Sequence, residues 1–395
     1  MEINRPLLTF ASFIALGLNG VAFTFMGVSL PALQSHLGIS IDQAGMLMAS
    51  LQTGFTICTL LGGFFSDHFQ REWIIASGCI FLSMGSVLLC VVASFTLSLT
   101  AVCCMGAGIG FILSGSNTLL VSLYTSHKGT ILNIHHVFFG IGAIVGPALM
   151  GFLIIRGNHW RFGYVAASIV LLVLCSIFVL SRNKLPVNGS IRSQGNDRMI
   201  NLLKDKNFRV ILLVNFLTMG SQVVIMLFGA VFLIQSKQCS LGEAGVALSG
   251  FSLFIVLGRM LCSKMAITMK NASIVLTLLW FQTAMLLLVW QGSSWFVLAA
   301  LAISGITFSG TYPTLLALTS VLFPCREGSS LGVLSTMGGL GSILLCWLTG
   351  YVAGLTNIGI GFIVCILACF IALILFQINY HALCARESLG RDVRA

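Results

Sequence analysis

Residues 182–209 read RNKLPVNGSIRSQGNDRMINLLKDKNFR, the only long polar stretch inside a chain of 395 residues. Pro186, Gly189 and Gly195 stand among Asn and Ser, a composition that suits a flexible linker. On both sides of it the chain is a succession of apolar runs, most of them long enough for the ~20 residues a bilayer crossing needs. Six spans are expected before the linker, at about 7–33, 44–66, 73–93, 98–124, 130–155 and 162–181. Six more follow, at about 210–234, 244–266, 272–291, 295–323, 331–351 and 359–380. The expected organisation is therefore residues 1–181 as one six-helix half, 182–209 as the linker and 210–395 as a second half with a short tail.

Composition agrees with that reading. Hydrophobic residues make up 57% and charged residues 8%, against about 25% charged in a soluble domain. So few charges cannot cover a water-exposed surface, so the solvent of this chain is lipid. A β-barrel is excluded because its strands would alternate apolar and polar in segments of about 10 residues. Unbroken apolar runs satisfy their own backbone groups only as helices, so the fold class is all-α with twelve transmembrane helices.

The formal net charge of +10 is a matter of location rather than of nucleic acid. With both termini placed in the cytoplasm, sixteen of the twenty Lys and Arg residues fall inside and only Arg156, Arg161 and Lys237 outside, while Arg259 alone lies within a span. That asymmetry is the positive-inside rule, and it predicts an inner-membrane protein with an even number of spans. The first apolar run is too long for a signal-peptide core and is read as the first span. The thirteen cysteines form no CxxC pair, and Cys103 and Cys104 have neither His nor acid beside them, so no disulfide, metal or cofactor is expected. The expected partners are lipid and a small-molecule substrate, with no nucleic acid, and the expected state is a monomer.

The halves echo each other at an offset of 199: Gly106 with Gly305, Gly140 with Gly339, Gly142 with Gly341 and Gly151 with Gly350. Such glycines are expected to be packing surfaces, because helices in lipid associate by close backbone approach. They are not nucleotide loops, since they lie inside spans rather than between a strand and a helix.

Between spans two and three the sequence runs Gly63-Phe-Phe-Ser-Asp67-His68-Phe-Gln70-Arg71. This resembles the Gly-x-x-x-Asp-Arg-x-Gly-Arg-Lys loop of major facilitator transporters; Gly63, Asp67 and Arg71 match, while His68, Gln70 and Glu72 depart. The resemblance implies two parallel six-helix repeats with substrate bound between them near the midplane, and a conformational gating role for Gly63, Asp67 and Arg71. A further resemblance is to the fucose–galactose–glucose symporter family. It is carried by Leu132-Asn133-x-x-His136-x-x-Phe139-Gly140-x-Gly142-Ala143-x-x-Gly146-Pro147, by Phe216-Leu-Thr-Met-Gly220-Ser-Gln222, by Gly258-Arg259, by Gly305 through Pro313 and by Gln52-Thr-Gly54-Phe. A rival resemblance, to drug/proton antiporters, rests on the glycines before Gly146-Pro147; the Arg those proteins carry in the fourth span is missing, with Val102 and Cys104 in its place.

The symporter resemblance implies acids in spans one, four or seven, yet the matched positions are Gly27, Leu113 and Gln222. All ten acids fall in loops, tails or span ends. A Gln keeps the hydrogen-bonding capacity of a Glu but cannot titrate, so His135 and His136 are the remaining possible proton sites. Neutral polar residues are the candidate substrate ligands: Asn19 on span one, Gln52 on span two, Asn117 on span four, Asn215 and Gln222 on one face of span seven, and Thr311 with Tyr312 on span ten. Amides and hydroxyls in an apolar cleft suit a sugar or another uncharged polar solute. Arg259 is read as structural or as anion-binding.

No nucleophile–base pair or ligand cluster marks an enzyme. The expected function is secondary transport of a small neutral polar solute, a sugar in the first instance, by alternating access. The alternative is efflux of drugs or metabolites in the same fold. The topology has a direct test: an impermeant thiol reagent should reach Cys239 from outside and Cys384 from inside, and labelling of both from one face would contradict it.

Overall fold

The computed structural model describes residues 5–124, 128–157, 160–181, 203–323 and 327–392. Residues 182–202, most of the expected linker, lie outside them. Twelve helices among the described residues are long and apolar enough to cross a membrane, and the chain is an all-α, multi-pass membrane protein. The spans are α1 (Arg5–Leu37), α2 (Ile41–His68), α3 (Arg71–Val91), α4 (Phe95–Leu123), α5 (Lys128–Ile155) and α6 (Trp160–Leu180). They continue with α7 (Lys206–Val231), which runs on as a π-helical turn Phe232–Ser236, then α8 (Leu241–Thr268) and α9 (Asn271–Gln291). Span ten comprises α10 (Ser294–Ser309) and α11 (Thr311–Leu322), span eleven is α12 (Glu327–Leu355), and span twelve comprises α13 (Ile358–Gly361) and α14 (Ile363–Asp392).

The chain divides into two compact units, residues 1–192 with 240–249, and residues 193–239 with 250–395. In the first, α1 packs on α5, α2 and α3 on α4, and α3 on α6. In the second, α7 packs on α12 and α14, and α9 on α14. Glycine makes these seams. A Cβ on Gly142 would collide with the Gly17 carbonyl on α1, and one on Gly341 with the Phe216 carbonyl on α7. A Cβ on Gly106 would strike the Leu51 carbonyl on α2, and one on Gly305 the Phe251 carbonyl on α8. Gly17 and Phe216 are themselves 199 apart, and Leu51 and Phe251 differ from that offset by one residue. The internal repeat is therefore a repeat of backbone-to-backbone contacts, not only of residue type.

Two features depart from the expected spans. The tenth is not one helix: it breaks at Gly310, whose φ of −96° and ψ of −17° join α10 to α11. Pro313 has no N–H to offer Ser309 and its ring crowds that carbonyl, four residues back, which ends the helix there. The twelfth runs far past the apolar run, to Asp392, because its polar extension is tied to neighbouring helix N-termini. Glu387, fully buried, accepts from the backbone N–H of Asn271 (2.8 Å) and of Ala272 (3.0 Å) at the start of α9. A carboxylate there meets both the free amides and the positive end of the helix dipole. Arg386 pairs with Asp205 at 2.6 Å, and Asp205 also caps α7 by accepting from the Phe208 N–H at 3.1 Å. Burial alone would raise the Asp205 carboxyl. The hydrogen bonds from Arg386 and from the backbone of Phe208 and Asn207, with the Arg386 charge, outweigh it and hold the group below its ordinary value.

The glycine seams can be tested by adding single methyl groups. Gly142→Ala and Gly341→Ala should each destabilise the purified protein, by about 1–3 kcal/mol for an overpacked contact. Gly332→Ala, where a Cβ meets nothing within 4 Å, should leave the thermal midpoint unchanged or raise it. Equal midpoints for all three would show that the seams are not close-packed.

Candidate functional site

The first unit gathers its polar side chains where α1, α4 and α5 meet. His135, fully buried, places Nε2 3.2 Å from the Ser12 carbonyl on α1 and Nδ1 3.1 Å from Asn117 Oδ1 on α4. Phe13 lies against the ring at 5.9 Å and stacks on Phe138 at 4.8 Å. The Ser12 carbonyl only accepts, so Nε2 carries a proton. A neutral ring then leaves Nδ1 as an acceptor, and Asn117 must turn its NH2 toward it; a doubly protonated ring donates to both oxygens as they stand. The two protonation states of His135 thus call for opposite orientations of the Asn117 amide. His136, the next residue, is exposed.

Other expected ligands are divided by burial. Asn19 is wholly buried and spends its Nδ2 on the Ile109 carbonyl at 3.0 Å. Asn215 does the same between α7 and α12, donating to the Leu334 carbonyl at 2.7 Å. Gln52 is 2% exposed with its Nε2 unpartnered among the described residues, and Thr311 is buried with its hydroxyl on the Thr307 carbonyl at 3.3 Å. All four are buried rather than on open surface; Asn19 and Asn215 each find a carbonyl on a neighbouring helix, whereas Thr311 bonds back to the preceding turn of its own span. Asn117, Gln222 and Tyr312 are only partly buried. Tyr312 Oη lies 2.8 Å from Ser335 Oγ on α12, a partner the sequence did not single out because it stands 23 residues away on another helix. Gln282 was also missed: it is fully buried in α9, with both amide atoms unpartnered among the described residues.

The loop motif is built as a helix end. Asp67 lies in the last turn of α2, its side chain outside the described residues, and Arg71 begins α3 with its Nε buried and unpartnered among the described residues. Gly63 faces open space, a Cβ there meeting nothing within 4 Å. Glu72 is buried in the first turn of α3, where the helix dipole favours a carboxylate. Arg259 in α8 is exposed, and no hydrogen bond or ion pair joins it to any described residue.

Among the described residues the spans carry neutral polar groups inside and keep their acids to the span ends. The sequence matches the Major Facilitator Superfamily over residues 12–266 and 210–383, and the chain belongs to that superfamily. It is a membrane transporter and not an enzyme. It is 23% identical over 371 residues to the cis,cis-muconate transport protein of Acinetobacter baylyi (strain ATCC 33305 / BD413 / ADP1), covering 89% of each chain. It is 21% identical over 331 residues to the quinolone resistance protein NorA of Staphylococcus aureus (strain MSSA476), covering 81% of this chain and 84% of that one. With the Mus musculus sodium-dependent glucose transporter 1A it shares 22% over 140 residues, 35% of this chain and 32% of that protein. Among solved structures it superposes on a bacterial homologue of the human lysosomal transporter Spinster, inward-facing, with a TM-score of 0.80 at 14% identity over 98% of this chain and 99% of that one. The D-xylose–proton symporter follows at 0.76 and 13% identity, covering 94% and 96%.

The His135 junction separates two neighbouring histidines. His135→Leu should lower the thermal midpoint, at a cost of about 1–3 kcal/mol for buried polar partners left unmet on Asn117 and Ser12. His136→Gln, at an exposed position, should not. The reverse order would contradict the arrangement.

Proposed function

We propose that the protein carries a small hydroxylated solute, a sugar in the first reading, across the inner membrane by alternating access. The observation that supports this most is the character of the accessible polar groups: Asn117, Gln222 and the Tyr312–Ser335 pair are neutral amides and hydroxyls. Such groups recognise hydroxyls by exchanging donors and acceptors, without the desolvation cost of a charge. The likeness to the fucose–galactose–glucose symporters in spans two to eleven, and a relative named for glucose, point the same way. Asn19 and Gln52 support Asn117 within the first unit, Asn215 and Thr311 support Gln222 and Tyr312 within the second, and Gly63, Asp67 and Arg71 act in gating.

Transport is facilitative in this reading. The positions matched to the symporters' acids are Gly27, Leu113 and Gln222, so no carboxylate inside the spans can take up a proton. His135 and His136 are the titratable groups left, and the exposed His136 is the coupling candidate. A second reading, efflux of drugs or metabolites, is favoured by the quinolone resistance relative, which matches most of the chain.

Proteoliposomes test both. Sugar counterflow should proceed without accumulation after a pH step, and Gln222→Ala should weaken binding by about 1–3 kcal/mol with no change in pH dependence. Accumulation that survives His136→Gln would overturn the facilitative reading. Fluoroquinolone extrusion by inverted vesicles, without sugar counterflow, would favour efflux.

A further inference from the structure

Among the described residues Arg259 stands nine positions before the end of α8, deeper in its span than Lys264, and its surroundings settle how it is tolerated. On α8 the side chains of Leu253, Leu257 and Met260 are 43%, 46% and 60% exposed and form an apolar outer stripe. At 100° per residue Arg259 projects about 130° from the centre of that stripe. It shares its side of the helix with Ser252 and Ile255, both buried, and follows Gly258, where α8 touches Ile306 and Ser309 of α10.

An arginine that snorkels through lipid must sit on the lipid stripe, and this one does not. An arginine that serves the fold binds carbonyls or a carboxylate, and no such bond joins Arg259 to the described residues. It is nonetheless exposed, while Ser252, two turns earlier on the same side, is 4% exposed. The protein-facing side of α8 therefore opens around Arg259 into space that water or a solute can fill. A guanidinium in such a place is a receptor for an anion, because a charge within a span is retained only where something solvates it.

We propose that Arg259 binds a carboxylate of the transported solute, so that the substrate is an organic acid bearing hydroxyl or other polar groups rather than an uncharged sugar. This rests on the reading of the protein as a carrier of small polar solutes and replaces the neutral sugar of that reading with an acid. The planar fork of five N–H donors fits a carboxylate through two parallel hydrogen bonds. One guanidinium balances one carboxylate, whereas a phosphate monoester carries about −1.5 to −2 at neutral pH and would need a second cation. The next cation on α8, Lys264, is five residues on and about 140° round the helix, too far round to share that ligand.

The test uses the purified full-length chain with matched pairs: glucose and glucuronate, glycerol and glycerate, benzamide and benzoate. The acids should raise the thermal midpoint and compete in counterflow, and their neutral partners should do so far less. Arg259→Gln should weaken the acids by roughly ten- to a hundredfold, while Arg259→Lys, keeping the charge but not the fork, should retain part of the affinity. Because Arg259→Gln could simply misfold, Arg259→Cys supplies a separate measure: a water-soluble charged methanethiosulfonate should modify position 259, read by peptide mass spectrometry, and glucuronate should slow it. Stabilisation by no acid, or a residue 259 that the reagent cannot reach, overturns the assignment. Neutral members that bind and exchange as well as the acids, in both wild type and Arg259→Gln, overturn it while leaving the carrier of polar solutes intact. Counterflow of no solute, with acids still stabilising the wild type through Arg259, would instead remove the transport reading and keep the anion site.

Discussion

Helices in hydrocarbon have already satisfied their backbone hydrogen bonds, and lipid tails are as apolar as their side chains, so no hydrophobic drive brings them together. What remains is close packing, and in this protein it is achieved where one helix lays its carbonyls against the bare Cα of another. Gly20 and Gly142 between α1 and α5, Gly54, Gly106 and Gly110 between α2 and α4, and Gly78, Gly85 and Gly108 between α3 and α4 all leave no room for a methyl group. The second unit repeats the device with Gly220 and Gly341 between α7 and α12, and with Gly258 and Gly305 between α8 and α10. The polar chemistry depends on it. His135 reaches both Ser12 and Asn117 only because α1, α4 and α5 lie close, and Asn215 reaches the Leu334 carbonyl across an equally narrow seam.

Charge is distributed by a second rule. Carboxylates are kept to span ends, where backbone amides and guanidinium groups hold them: Asp205 with Arg386, Glu387 on the first amides of α9, Glu72 in the first turn of α3. The C-terminal extension of α14 is helical for this reason, bracing the starts of α7 and α9. Within the spans the buried polar groups are mainly amides, hydroxyls and an imidazole, which can be desolvated at far lower cost than ions. Arg259 stands outside the rule, and its orientation away from the apolar stripe of α8 makes it the residue most informative about what the carrier moves.

Local chemistry in the sequence determined the class of protein: twelve apolar runs, and Gly63-x-x-x-Asp67 with Arg71 after the second of them. Each of these signals lies within one helix or one loop, and the bilayer requires that each span satisfy itself. The same locality let the missing acids be noticed, since Gln222 stands where the symporter likeness carries a Glu. Tertiary structure decided what depends on a second segment. Whether Asn19 and Asn215 meet solute or a neighbouring carbonyl depends on helices about 90 and 119 residues away in the chain. The break at Gly310 follows from how Pro313 crowds the preceding turn. The helical tail follows from Glu387 finding the amides of α9 across 115 residues, and the side of α8 from which Arg259 projects could be assigned only once the lipid stripe was known. Hydropathy reports how a residue partitions, but burial and hydrogen-bond partners belong to the seam between two helices, which no single run of sequence contains.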